Sequence, residues 1–348
     1  MSYKISKYNV GSNGQDIQEL WGKVFPGVSP TRFAWIYKNN PHGQAECWVA
    51  RRDGQQSLVG MISLFPRRLM ISGVARRGAI AGDFAVDKQH RGFGPALALQ
   101  RAAISSCNAG HYDCVYGIPL DQAKAVVQRS GYVSIDRGTR MTKLLNAQSY
   151  LRKRLNPILS NIVSPIINLM LKMGSKEIYC SNNKSFILED LKGFDSRFDA
   201  LWGKVSNRQR IMVERTSAYL NWRFFQCPHN SYELFGLVHG TDHELWGYVV
   251  GCTKDNCFWI ADMLSADEES TLDIVIAKLL HVLRLRGLEA VSITYYGGQS
   301  FLGKLKRFGF CVRDQSSCLV AYAPPNTPLA GYIANIENWH LLPGDNDI

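Results

Sequence analysis

The sequence lacks the features that mark several large classes of protein. It has no run of about 18 uninterrupted apolar residues, so we predict no membrane-spanning helix. Residues 1–14 are polar and resemble no secretory signal. The nine cysteines are scattered, without the spacing of zinc ligands or of a CxxC pair, so we predict no metal site. These absences favour a cytoplasmic protein with reduced thiols.

Negative charge is also in short supply. Forty lysine and arginine residues face 29 aspartate and glutamate residues, which leaves a formal net charge of +11. Such a surface attracts nucleic acid, anionic lipid or an acidic small molecule. The basic residues are spread along the chain and accompany no nucleic-acid-binding motif, so we expect no nucleic-acid partner. Anionic lipid and an anionic small molecule remain as candidate ligands.

The chain contains an internal repeat. Residues 20–24 (LWGKV) recur at 201–205, and the segment that begins at Trp35 matches the one that begins at Trp222, 187 residues later. Two copies indicate a tandem pair of domains rather than a solenoid. We therefore predict a first domain at 1–145, a helical linker at 146–184, a second domain at 185–325 and a C-terminal tail at 326–348.

The same coarse order of elements is predicted in each copy. In the first copy, helical segments lead into strands, and then strand, helix, strand, helix and strand alternate. Antiparallel strands followed by strand–helix–strand units are typical of a mixed sheet. We predict an α+β (mixed α/β) fold of two duplicated domains, each a mainly antiparallel sheet flanked by helices. The predicted elements of the first copy are helices at 17–24 and 31–38, strands at 46–51, 57–66, 69–80 and 80–86, a helix at 95–109, a strand at 112–118, a helix at 121–130 and a strand at 132–144.

A glycine-rich loop joins one predicted strand directly to a helix. The sequence there is DFAVDKQHRGFGPA, residues 83–96. A helix amino terminus leaves about four backbone N–H groups unpaired and carries partial positive charge, so it can bind a diphosphate. Gly92 and Gly94 let the backbone approach the phosphates closely, and Pro95 suits the first helical position. Gln89 and Arg91 can add side-chain donors.

This Gln-x-x-Gly-x-Gly loop after a strand resembles the acyl-CoA site of the GNAT N-acetyltransferase superfamily. The later Gly131-Tyr132 is similar to the family's Gly-Phe pair. The resemblance implies acetyl-CoA, or another acyl-CoA, as co-substrate. It also implies that the preceding strand separates from its neighbour and pairs with the pantetheine arm. The cofactor-binding residues it implies are Phe84, Ala85 and Val86 for the arm and Gln89, His90, Arg91, Gly92, Phe93, Gly94, Pro95 and Ala96 for the diphosphate.

The second copy departs from this pattern. Its corresponding loop, residues 265–271, reads SADEEST and has three acids and no glycine. Acidic side chains repel a diphosphate. We therefore predict one cofactor site, in the first copy. Residues 222–228 resemble tandem members of the superfamily that are associated with bacterial polysaccharide synthesis.

The resemblance also suggests catalytic residues. A family carboxylate on the strand before the loop corresponds to Asp83, as general base, although Asp262 occupies the matching place in the second copy and favours a structural role. The family's tyrosine acid corresponds to Val127, which cannot donate a proton. Tyr116 and Tyr132 are the candidate substitutes, and core packing is the alternative for both.

The linker carries a helical apolar stripe. Residues 151–174 have apolar side chains at helical spacing and no acidic residue. One alternative is a helix docked over the domain junction. The other is a helix that rests on an anionic membrane.

These observations favour a CoA-dependent N-acyltransferase that acts on an amine. The family resemblance suggests a small-molecule or glycan-precursor acceptor, such as an amino sugar. Two alternatives stay open. One is aminoacyl transfer in peptidoglycan bridge synthesis, and the other is a non-catalytic protein that senses CoA or acts as a scaffold.

Overall fold

A computed structural model describes residues 2–11, 14–25, 27, 29, 31–92, 94–152, 155–181 and 183–347. Among these residues, no helix combines the length and apolar character needed to cross a bilayer.

Fourteen strands are found in the described part of the chain. They are β1 (Tyr3–Tyr8), β2 (Glu46–Arg52), β3 (Leu58–Ile71), β4 (Val74–Val86), β5 (Cys114–Gly117), β6 (Val133–Leu144), β7 (Phe186–Leu191), β8 (Ile211–Val213), β9 (Glu233–His239), β10 (Leu245–Lys254), β11 (Cys257–Ser265), β12 (Ala290–Gly297), β13 (Cys311–Tyr322) and β14 (His340–Leu341).

Helices flank these strands. The α-helices are α1 (Gln15–Val24), α2 (Pro95–Asn108), α3 (Lys124–Ser130), α4 (Gln148–Arg152), α5 (Pro157–Met173), α6 (Glu177–Ser181), α7 (Ser196–Val205), α8 (Ser217–Leu220), α9 (Thr271–Leu285), α10 (Gln299–Arg307) and α11 (Pro328–Ile333). Two π-helical segments span Phe33–Lys38 and Asn221–Phe225, and short 3₁₀ turns span Lys88–His90, Asp121–Ala123, Ile336–Asn338 and Pro343–Asp345.

One mixed, mainly antiparallel sheet runs through the molecule. Its strand order is β1-β2-β3-β4-β5-β13-β6-β12-β11-β10-β9-β7, with β8 paired to β3 and β14 to β12. The last long strand, β13, lies between β5 and β6 and is antiparallel to both. Because β6 also pairs with β12, hydrogen bonds join the two halves of the chain without a break. The predicted mixed α/β class, with helices flanking a mainly antiparallel sheet, is confirmed.

The strands around the glycine loop are longer than predicted. A strand end was expected at Pro66, yet β3 continues to Ile71. Pairing of β3 with β2 stops at Leu64, so the N–H group that proline lacks is not needed on that side. A turn at Ser72-Gly73 divides the segment predicted as a strand at 69–80, and both residues have positive φ, as the tight hairpin between β3 and β4 requires. The strand β1 had no sequence prediction.

The two halves meet at a pair of tryptophans. Trp35 and Trp222, one from each π-helical segment, stack with ring centroids 5.1 Å apart. Each indole nitrogen donates to the other residue's carbonyl oxygen, at 2.9 and 3.1 Å. This reciprocal contact relates the segments that the sequence repeat had matched. The domain limits drawn from that repeat stay a prediction.

Candidate functional site

The glycine-rich loop is an open turn between β4 and α2. Asp87 accepts a hydrogen bond from the backbone of Gln89 (3.0 Å) and thereby fixes the first bend. Gly92 and Gly94 have φ of +88° and +99°, a conformation that favours glycine. A Cβ atom added to either glycine would meet nothing within 4 Å. The glycines therefore serve the backbone conformation and leave the space in front of the loop open.

Backbone donors at the start of α2 face this opening. Among the described residues, the amides of Gly92, Gly94 and Ala96 have no hydrogen-bond acceptor, and Ala98 is the first to reach one, the Gly94 carbonyl oxygen at 3.2 Å. Pro95 occupies the first helical turn, as predicted from its fixed φ. Unpaired amides at a helix amino terminus are suited to an anionic ligand.

The side chains of the loop differ in how far they are fixed. Gln89 and Arg91 are exposed. The Nε atom of Arg91 donates to the Val86 carbonyl oxygen at 3.1 Å, which places the guanidinium beside the loop. His90 contacts the Tyr3 hydroxyl through Nδ1 at 3.1 Å, so β1 helps to hold the loop. Phe93 lies outside the described residues.

The strand before the loop separates from its neighbour. β4 pairs with the parallel strand β5 only from Gly78 to Ile80, although β4 continues to Val86. Within the described residues, 81–86 therefore pair with β3 alone. Phe84 is half-buried, while Ala85 and Val86 are buried. The gap leaves one edge of β4 available beside the residues that the resemblance assigns to the pantetheine arm.

Asp83 lies at an irregularity in β4. The register with β3 shifts there, and Asp83 has φ of +48°, an uncommon conformation outside glycine. Its Oδ2 atom accepts hydrogen bonds from Arg32 Nη1 and from the Tyr37 hydroxyl, each at 2.7 Å. Strained backbone of this kind is frequent at functional sites. Asp83 is thus a buried carboxylate in a fixed orientation, a few residues before the loop.

The charge state of the partners of Asp83 follows from their surroundings. Burial lowers the pKa of Arg32, but Asp83 and Asp347 outweigh this effect and raise it above the usual value, so the guanidinium stays charged. Burial and the neighbouring Asp83 raise the pKa of Tyr37 well above its usual value, so Tyr37 stays protonated and acts as a donor.

The C-terminal segment reaches into the same region. Asp347 accepts a hydrogen bond from Arg32 through its carbonyl oxygen (3.1 Å). Its carboxylate points at Gly82, where an added Cβ would lie 1.9 Å from Oδ2. Burial and the nearby Asp83 raise the pKa of Asp347. Two carboxylates therefore lie close together beside the gap between β4 and β5.

Tyr116 and Tyr132 are placed on different sides of the sheet. The Tyr116 hydroxyl is buried and donates to the Asp345 carbonyl oxygen at 2.8 Å, which brings Tyr116 to the same C-terminal segment. Tyr132 packs against Tyr322 in the core under α2, and its hydroxyl is buried without a hydrogen-bond partner in the described part of the chain. Val127 is buried in that core too. Tyr116 thus contacts the C-terminal segment that also lies beside Asp83, and Tyr132 packs in a different core.

Sequence reasoning missed Arg32, Tyr37 and Asp347 as members of this cluster. An arginine within an otherwise apolar helical segment was the available signal for Arg32. Tyr37 lies in the helix predicted at 31–38, where an aromatic side chain is typical of core packing, and it is buried. No local signal points to Asp347, because its position depends on where the C-terminal segment docks.

A separate cavity of about 590 Å³ lies at the other end of β4. Arg76, Arg77, His111 and Asp113 are among its lining residues. It contains neither Asp83 nor any residue of the glycine loop. We therefore place the candidate site at the loop and not in this cavity. No group of His, Cys, Asp and Glu side chains suited to a metal ion occurs within the described ranges.

The fold is that of GNAT-type acyltransferases. A probable N-acyltransferase from Enterococcus faecalis superposes with a TM-score of 0.68 at 12% identity, covering 93% of this chain and 73% of that one. A GCN5-related N-acetyltransferase from Anabaena variabilis gives 0.65 at 14% identity, with 92% and 73% covered. The N-myristoyltransferase of Saccharomyces cerevisiae, solved with bound myristoyl-CoA, gives 0.57 at 12% identity, with 92% and 82% covered.

The sequence adds a family match within the first half. Residues 11–134 match the family model described as an acetyltransferase (GNAT) domain. This range contains Asp83, the glycine loop and Tyr132. No curated protein sequence matches the chain. The first half is therefore similar to a GNAT acetyltransferase domain, and the chain shares its fold with an N-myristoyltransferase solved with bound myristoyl-CoA.

Proposed function

We propose that the protein transfers an acetyl or longer acyl group from acyl-CoA to an amine acceptor. The observation that carries this proposal is the open, glycine-lined start of α2, directly after a strand whose edge is unpaired. Free amides and an exposed arginine suit a diphosphate, and a free strand edge suits an amide-containing arm. In the second half, β11 also continues past its pairing with β12, but the residues before α9 include no glycine and three acids.

The residues present fit acyl-CoA, which would supply an activated thioester. The amides of Gly92, Gly94 and Ala96 would hold the diphosphate, with Gln89 and Arg91 adding side-chain donors. The backbone of Phe84, Ala85 and Val86 would align the arm. His90 and Pro95 would shape the loop, since Tyr3 already engages His90 and Pro95 is buried. These contacts would direct the thioester toward the gap between β4 and β5.

Asp83 would act as the general base beside this gap. It would accept the proton that the acceptor amine loses as the C–N bond forms and the C–S bond breaks. The released thiolate takes up a proton in turn, either from the same carboxylate or from solvent. Of the two candidate proton donors, Tyr116 contacts the C-terminal segment beside Asp83, although its hydroxyl already donates to the Asp345 carbonyl oxygen. Positioning of the two reactants would supply much of the rate.

The acceptor class rests on resemblance. We propose a small amine or glycan precursor, such as an amino sugar used for an envelope polysaccharide, because residues 222–228 resemble tandem members with that association. We also propose that the two halves arose by duplication. Their order of elements corresponds apart from β8 and α8, which the second half adds, and Trp35 and Trp222 make a reciprocal contact.

A non-catalytic acyl-CoA-binding protein is the second candidate. The Oδ2 atom of Asp83 is engaged by Arg32 and Tyr37, and Asp347 lies against the same strand. Val127, at the place of the family's acid, is buried in the core. Such a protein would bind acyl-CoA through the loop without turning it over.

Calorimetry with acetyl-CoA, together with turnover assays on a panel of amines and amino sugars, tests the proposal. In the variant Gly92→Glu, a carboxylate would face the free amides, and we expect affinity to fall about a hundredfold, the equivalent of two charge-assisted hydrogen bonds. Gly110→Glu is the matched control, because Gly110 is also exposed, has φ of +77° and has open space at its Cβ position. Equal affinity in both variants would remove the site, and binding without any turnover would favour the second candidate.

A further inference from the structure

Helix α5 presents its apolar side to solvent. Ile158, Ile162 and Met170 are 75%, 61% and 65% exposed. Large apolar residues recur at intervals of three or four along the helix, so they form a single stripe on one face. We call this surface the α5 stripe. Its exposed members are Ile158, Leu159, Ile162, Ile166, Leu169, Met170 and Met173.

The side of α5 that faces the protein carries serine and asparagine as well as the half-buried Ile167 and Leu171. Ser160 and Ser164 are buried there. Asn168 accepts a hydrogen bond from the Ala147 backbone (2.8 Å) and donates one to Asn146 (3.1 Å). A surface helix normally turns its apolar face inward and its polar face outward. Here a second set of apolar side chains faces outward, and the hydrogen bonds of Asn168 hold the helix so that the stripe stays exposed.

Positive charge borders the stripe. Arg152 donates to the Asn161 side chain at 3.2 Å, and Lys172 follows Asn161 by three helical turns, on the same flank of α5. Residues 145–175 contain four lysine or arginine residues and no aspartate or glutamate. All charged residues in the segment that contains the α5 stripe are therefore basic.

We propose that the α5 stripe docks on an anionic membrane surface, with the helix lying in the plane of the interface. Apolar side chains would enter the boundary between headgroups and acyl chains, and the cations would contact acidic headgroups. A second copy of the chain fits less well, because pairing two stripes would also bring two basic borders together. The helix is about 25 Å long, which lets the whole stripe contact lipid when it lies flat.

Vesicle flotation of the full chain tests this docking surface. The probes are phosphatidylcholine vesicles with and without phosphatidylglycerol. We expect binding to the anionic vesicles, weaker binding to the neutral ones, and a decrease with added salt. Ile162→Asp should weaken binding tenfold or more, since it removes one of the exposed apolar anchors and adds a negative charge. Leu285→Asp is the matched control, because Leu285 is 75% exposed but lies on α9.

Each other outcome counts against the proposal. No flotation with anionic vesicles would overturn it, as would equal losses in Ile162→Asp and Leu285→Asp. Light scattering on the lipid-free protein tests the alternative that a second copy of the chain binds the α5 stripe. If the wild type is a dimer that Ile162→Asp converts to a monomer, and neither form binds vesicles, then a second copy covers the stripe. Acyl-CoA affinity should be unchanged in both variants, so failure here is distinguishable from failure of the proposed function.

Discussion

The two halves treat a strand aspartate in the same way. Asp83 on β4 is held by an arginine and a tyrosine, and Asp262 on β11 is held by Arg215 (3.0 Å) and Tyr248 (2.7 Å). Both aspartates precede the junction that leads to a central helix, α2 or α9. A buried carboxylate with a paired arginine is therefore a property of the fold in both halves. By itself it does not identify a catalytic centre.

The two strand-to-helix junctions, before α2 and before α9, differ in whether a side chain of the protein binds their backbone amides. In the second half, the carboxylate of Asp267 accepts hydrogen bonds from the backbones of Glu269 (3.0 Å) and Ser270 (2.8 Å), just before α9. In the first half, the amides of Gly92 and Gly94 have no such acceptor in the described chain. Within the described residues, the protein thus supplies its own anion just before α9 and none at Gly92 and Gly94. This contrast supports the proposal that acyl-CoA binds at the first junction only.

The largest expected effect is on turnover. Asp83→Asn should lower kcat by about a hundredfold to ten-thousandfold, the contribution of a general base, while acyl-CoA affinity changes little. Asp262→Asn makes the same chemical change in an equivalent cluster of the other half and should leave kcat nearly unchanged. Steady-state kinetics with each variant, using the best acceptor of the amine panel, separates the two aspartates.

The proposed difference between Asp83 and Asp262 is wrong if both variants lose activity to the same degree. Asn keeps the shape of the side chain and can still accept the tyrosine's hydrogen bond. Both variants are therefore chosen to keep the native fold. Circular dichroism and thermal unfolding of both variants check this point. Equal losses in kcat and in stability would show that the two aspartates serve the fold alone.

A smaller effect, on stability, is expected from removing the Asp267 carboxylate before α9. Asp267→Ala removes the acceptor for the backbone amides before α9 and should lower the free energy of unfolding by about 1–2 kcal/mol, as for the loss of a helix cap. Denaturant unfolding measures this change. Asp242→Ala is the control, since Asp242 accepts a backbone hydrogen bond from Glu244 in an exposed turn away from the helix. A second acyl-CoA site in Asp267→Ala would contradict the view that the other acids also exclude the ligand.

The sequence predicted those parts of the site that are local. The loop from Gln89 to Pro95 and the strand with Asp83 are contiguous, so their spacing and residue types carry the information. Periodicity also predicted helix α5 and its apolar stripe. It could not show which face of that helix is exposed, because the choice depends on the polar contacts of Asn168 with Asn146 and Ala147.

Contacts between distant segments were beyond sequence reasoning. Arg32 and Asp347 are 315 positions apart, and Tyr116 and Asp345 are 229 apart. The insertion of β13 between β5 and β6 is similarly non-local. Strand pairing of this kind depends on the register of the whole sheet, and alternation of side chains does not specify which strands are neighbours.

The smallest expected effect concerns Asp347, a second carboxylate beside Asp83. Asp345 has the corresponding place beside Asp262, where Arg215 donates to both carboxylates. Burial and Asp83 raise the pKa of Asp347, while Arg32 and Arg67 oppose them. The folded protein therefore holds a proton that the unfolded chain has released, and the free energy of unfolding decreases as pH rises from about 3.8 to the raised pKa. One proton limits the slope to about 1.4 kcal/mol per pH unit. Asp347→Asn should remove this decline, so the difference between variant and wild type in chemical unfolding should grow in favour of the variant across that window. A constant difference would mean that the Asp347 carboxylate is not packed against Asp83 in solution.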